Sequence, residues 1–174
     1  MAYAVVRTDN MYGTDVRAGL VSIKYIVTTG SGDNTVKTET AIENGNVLKV
    51  GPLMDGEREI YEGSAVAANT DLKEVVLIAT PELIYDERKH NLADFRNEPG
   101  KPCRGYRLHT GDVFSVTKEA LVGVATPAVG NIVELAAGTK LNVAASETNG
   151  STQVGKIIAK DIVGDLTFYA VRVN

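Results

Sequence analysis

Three short stretches of the chain open alike: Gly45-Asn46-Val47-Leu48-Lys49-Val50, Gly111-Asp112-Val113-Phe114-Ser115-Val116 and Gly130-Asn131-Ile132-Val133-Glu134-Leu135. Glycine takes positive φ without a Cβ penalty, Asn and Asp bond their own backbone in turns, and the β-branched residue that follows starts an extended segment. Each stretch reads as a turn that launches a strand. A chain punctuated in this way commits itself to a compact β framework.

The rest of the chain carries the same signature. Val21, Ile23, Tyr25 and Val27 share one face of a period-two strand over 21–28, so half of that strand is expected to be buried. The glycine-rich tip Thr29 to Asn34 and the alternation of 35–40 complete a hairpin. Glu57 to Gly63 reads as a short exposed strand. Val75-Val76-Leu77-Ile78-Ala79 is a continuous apolar run, the pattern of a strand covered on both sides. Further strands are expected at 112–117, 131–135, 140–144, 154–159 and 166–173, with breaks at Pro127, Gly138, the loop 146–152 and Gly164-Asp165. Regular short strands at such spacing predict an all-β fold: a small barrel or sandwich of short antiparallel strands, in one unit or two β lobes.

Between them, 82–107 changes character. Tyr85 to Asn91 is crowded with charge, and Asn97-Glu98-Pro99-Gly100-Lys101-Pro102 has two prolines and a glycine. The expected organisation is therefore an N-terminal β lobe with an N-terminal arm (1–85), an irregular charged connector (86–104) and a C-terminal barrel-like β lobe (105–174).

With 174 residues the chain is long enough to bury a real core. A formal net charge of -4 gives no basic footprint, so no nucleic-acid partner is expected. One cysteine, Cys103, cannot form an internal disulfide, and no Cys/His array has zinc spacing. The start Met1-Ala2-Tyr3-Ala4-Val5-Val6-Arg7 is not that of a signal peptide, and no apolar stretch approaches about 20 residues, so a cytosolic site of synthesis and no membrane partner are expected.

Chemistry is thinly advertised. His90 and His109 are the two histidines, and the Gly-x-Ser-x-Gly elbow that would expose a nucleophile is missing. Ser31 sits between glycines at a hairpin tip. Arg104 beside Cys103 would favour a thiolate, but no histidine pairs with it in sequence. Gly155-Lys156 is followed by Ile157, which lacks the hydroxyl of a phosphate loop, and the acidic residues follow no calcium-loop spacing. No catalytic, cofactor-binding or metal-ligating residue is assigned, and no cofactor. The enzymatic alternative would have to assemble His109, Asp112 and Cys103. A glycan- or host-surface-binding β module is the other alternative, and it would draw on the seven tyrosines.

The order of phrases Ile42-Glu43-Asn44-Gly45-Asn46-Val47, Gly56-Glu57-Arg58-Glu59-Ile60-Tyr61, Pro81-Glu82-Leu83-Ile84-Tyr85-Asp86, Tyr106 to Phe114 and Val129 to Leu135, before Thr139-Lys140-Leu141, resembles that of tailed-phage head decoration proteins, also called cement or capsid-stabilising proteins. The resemblance implies a non-enzymatic, β-rich structural virion protein, made in the host cytoplasm, that binds the outer surface of the major capsid protein lattice as a homo-oligomer, trimer or dimer. It brings no catalytic residues. The smallest such proteins are shorter than this chain, and Met1 to Thr80 would supply an added lobe.

Overall fold

The computed structural model describes residues 3–7, 19–83 and 92–174. Over these the chain forms β1 (Leu20–Thr29), β2 (Val36–Glu39), β3 (Val47–Leu53), β4 (Ile60–Ser64), β5 (Val75–Ile78) and β6 (Cys103–Arg107). It continues as β7 (Val113–Thr117), β8 (Leu121–Gly123), β9 (Ile132–Leu135), β10 (Leu141–Ala144), β11 (Gln153–Val163) and β12 (Leu166–Val173). The all-β expectation holds, as a closed five-stranded barrel beside a curled half-barrel sheet.

The first sheet runs β2-β1-β4-β3-β5-β6, and a further pairing of β1 with β6 closes the ring. Closure is possible because β1 is ten residues long and serves three neighbours. Leu20–Ile23 pairs with β6, Ser22–Tyr25 runs parallel to β4, and Ile26–Thr29 leaves the ring to pair with β2. Val21 and Ile23 point into the barrel as the alternation requires; beyond them the phase changes, and Ile26 becomes the buried residue while Tyr25 and Val27 are half-buried. The interior holds Val21, Ile23, Leu48, Val76, Ile78 and Cys103. It is narrow enough that a Cβ on Gly105 would stand 2.8 Å from Val76 Cγ2 and 3.0 Å from Val76 Cβ.

The second sheet runs β7-β12-β11-β9-β10-β8. Its concave face meets the outside of the barrel, and β5 is the strand between the two. Val76 and Ile78 face the barrel interior, whereas Val75, Leu77 and Ala79 join Phe114, Val116, Val133, Leu135, Leu141 and Val171 in one shared core. The apolar run in β5 is unbroken because each of its faces meets a different interior.

Two pairings, β1 with β4 and β8 with β10, are parallel, a departure from the antiparallel expectation. Glu57 to Gly63 is not a short exposed strand: β4 sits in the barrel wall between β1 and β3, with Gly63 buried and Tyr61 packed on the barrel core. The charges that argued for exposure, Glu57, Arg58 and Glu59, lie in the turn before the strand.

β6 spans residues 103–107 and so straddles the expected boundary at 104/105. Of the charged connector, 86–91 lies outside the described residues, as do 84–85 just before it and 8–18 of the N-terminal arm. In the described part Ala93 is buried against Val5 and Phe168, and Asn97 bridges Ile42. At the N-terminus Ala4, Val5 and Val6 are buried, and Val6 bridges Val116 of β7.

All three strand-launching glycines have positive φ: 82° at Gly45, 94° at Gly111 and 92° at Gly130. In two of the turns the next side chain closes a ring three residues back. His109 N–H donates to Asp112 Oδ2 at 2.9 Å, and Ala128 N–H donates to Asn131 Oδ1 at 2.8 Å. The first turn is held by β5 instead: Gly45 N–H donates to Ile78 O, and Ile78 N–H to Asn46 O.

Candidate functional site

Of the three residues an enzyme would have to assemble, the structure brings two together and places the third, Cys103, inside the barrel. His109 and Asp112 share one turn, with Nδ1 3.6 Å from Oδ2, and Asp112 is nearly buried while the imidazole is half-exposed. That turn is stitched to the last strand by Gly111 N–H to Val173 O and by Thr110 Oγ1, which donates to Asn174 O at 2.8 Å. The pair thus caps a turn. Cys103 is a barrel-interior residue whose Sγ lies 3.0 Å from Ile23 O as donor. Burial pushes its thiol up to about 12, so it stays protonated at neutral pH. His90 lies outside the described residues. Ser31 precedes a short 3₁₀ turn at Gly32–Asn34 and makes no capping bond. Among the described residues no three His, Cys, Asp or Glu side chains gather as a metal site requires.

The tyrosines are dispersed. Tyr25 and Tyr61 pack on the barrel core, Tyr106 packs on the shared core, and Tyr169 is buried within it. Tyr3 lies under Arg96, whose guanidinium carbon is 5.5 Å from the ring centroid. Tyr12 and Tyr85 are outside the described residues.

Two features that the residues alone did not announce stand out. The first is Glu134 on β9, only 1% exposed and paired in register with Asn142 and Gln153 on its two sides. Asn142 Nδ2 donates to its Oε1 at 2.8 Å, and Thr148 N–H donates to its Oε2 at 3.1 Å. Burial pushes the carboxyl upward, but the bonds from Thr148 and Asn142 outweigh it and hold the group below its ordinary 4.5. Glu134 is therefore an ionised latch for the loop 145–152. Glu147, Thr148, Gly150, Ser151 and Gln153 line an open polar cavity of about 380 Å³ beside it.

A depressed carboxylate contributes stability above its unfolded-state value and loses it as pH falls through the folded value. Glu134→Gln replaces an acceptor by a donor facing Asn142 or Thr148 and is expected to cost about 2 kcal/mol at pH 7. The gap to wild type should close below pH 4.5 as Glu134 takes up its proton. Urea midpoints of both proteins across pH test this; a gap that does not change with pH would mean that the charge is immaterial.

The second feature is the far end of the β11–β12 hairpin. β11 pairs with β9 only as far as Lys156 opposite Ile132, and Ile157 exchanges bonds of 3.0 and 2.8 Å with Asn131 and Gly130. Beyond that point, among the described residues, β11 has β12 on one side and no strand on the other. Ile158, Ile162 and Val163 are 41, 73 and 48% exposed, and Val129 in the adjoining turn is 61% exposed. Val163, Leu166 and Phe168 also line, with Val6 and Leu92, an apolar cavity of about 330 Å³ that Arg7 and Glu82 border. The sequence signal was the β-branched content of 157–163, masked by Lys160 and Asp161 within it.

Comparison with protein-family models, with curated proteins and with solved structures returned no match to this chain.

Proposed function

We propose that this protein decorates and stabilises an icosahedral phage head by binding the outer surface of the major capsid protein lattice as a dimer or trimer. The observation that supports this reading most is the exposed apolar end made by Val129, Ile158, Ile162 and Val163 beside the unpaired edge of β11. Apolar side chains gathered at one exposed end suit a surface that another macromolecule covers. A cement protein needs no reacting group: it adds contact area to a shell, and many identical copies let modest contacts sum.

The N-terminal segment 1–19 and the connector 86–104 both contain structural residues: Ala4 to Val6 in one, Ala93, Asn97 and Cys103 in the other. Deleting either would damage the fold, so the test uses the intact chain. Expanded heads that lack this protein, from the phage that encodes it, are mixed with increasing amounts of purified protein and pelleted. Saturable co-sedimentation, with heads that then withstand a higher temperature before they rupture, is the expected result. Protein that stays in the supernatant at every ratio would overturn the proposal.

A further inference from the structure

We infer that the outer edge of β11, from Ile158 to Val163, is the docking edge, and that an extended segment of the capsid protein occupies it by strand addition. The inference rests on the function proposed above and names the surface and the mode of contact. In an antiparallel hairpin every second residue turns its backbone N–H and C=O away from its partner strand. Over 158–163 those groups face a side where no described strand lies. A bulge between Ile157 and Ala159 marks the point at which β11 parts from β9. Such an edge is a template for a further strand, and main-chain bonds supply the affinity.

The charges select the occupant. In a two-fold antiparallel pairing of this edge with a second copy, a residue must lie opposite its own counterpart. The two central registers then set Lys160 against Lys160 or Asp161 against Asp161, and like charges directly opposite one another are destabilising. Pairing with another free edge of a second copy fares no better. β8 is three residues long, and β2 is four residues long with Lys37 and Glu39 already bound to Glu62 and Lys24. A foreign strand has neither constraint. It would set a carboxylate opposite Lys160, whose ammonium lies 5.9 Å from the Tyr169 ring centroid, and apolar residues opposite Ile158 and Ile162. The cavity beside Val163 offers a pocket for one more apolar side chain of that strand.

The test compares wild type with the Ile158→Asp/Ile162→Asp variant on the undecorated heads, together with hydrogen exchange of the wild type free and head-bound. The expected results are binding at least about tenfold weaker for the variant at an unchanged melting temperature, and slowed exchange at 158–163 in bound wild type. If wild type pellets with heads but exchange at 158–163 is unchanged, the docking edge is wrong while decoration stands. If wild type does not pellet, both fail. Protection of 158–163 that rises with the concentration of the free protein would make a second copy the occupant and overturn the inference. Should the variant fail to fold, the exchange measurement on wild type decides alone.

Discussion

Gly155→Ala is expected to destabilise the protein by about 3 kcal/mol, read as a fall in the urea midpoint without a change of slope. Gly155 is buried where β11 pairs with β9 and β12 at once, opposite Val133 on one side and Val173 on the other. A Cβ there would run into the carbonyl oxygen of Arg172 and stand 3.1 Å from Val173 Cα. The obstacle is backbone, so no side chain can swing aside to relieve it; two strands must separate. Gly130→Ala is the matched control. Its added Cβ would meet nothing within 4 Å, but φ is +92°, so its cost is the conformational one of about 1 kcal/mol. If the two substitutions cost the same, the collision at Gly155 is not what limits that position.

Phe114→Ala is expected to cost about 3–5 kcal/mol, the usual range for emptying a buried phenylalanine site, and to lower the melting temperature by on the order of 10 °C. Phe114 is 1% exposed on β7, in a core that includes Val47, Val75 and Leu77 of the barrel. Because that core belongs to both sheets, the loss should reach the barrel. Cys103 reports it: the thiol is 3% exposed inside the barrel, so a neutral thiol reagent reaches it only through opening. In Phe114→Ala its labelling should quicken in proportion to the lost stability. Unchanged Cys103 labelling in a protein whose second sheet has loosened would mean that the halves fold independently.

What the sequence disclosed follows from how local each cause is. The three Gly-Asn/Asp turns and the run at Val75 to Ala79 were legible because the reason for each lies within a few residues. β6 was not. Cys103-Arg104-Gly105-Tyr106-Arg107 follows two prolines and carries two arginines, which locally reads as linker. Its strand character comes from a distant requirement, a fifth wall for the barrel with a glycine that pairs with Ile78 and leaves room for the Val76 side chain. β4 was misjudged through the charges that precede it. Nothing near Glu134 in sequence announces its burial, which depends on a loop that folds back from Thr148. The exposed hairpin end was hidden by a different route, since Lys160 and Asp161 give 158–163 an ordinary surface composition while Ile158, Ile162 and Val163 stay uncovered.

Because β5 serves as a party wall, residues adjacent along it answer to different rooms. Enlarging Val76 would press on Ile23 and Gly105, whereas enlarging Leu77 would press on the chamber that holds Phe114. A force applied at the hairpin end passes along β12 into that chamber and across β5 into the barrel, so the body should respond to load as one stiff piece.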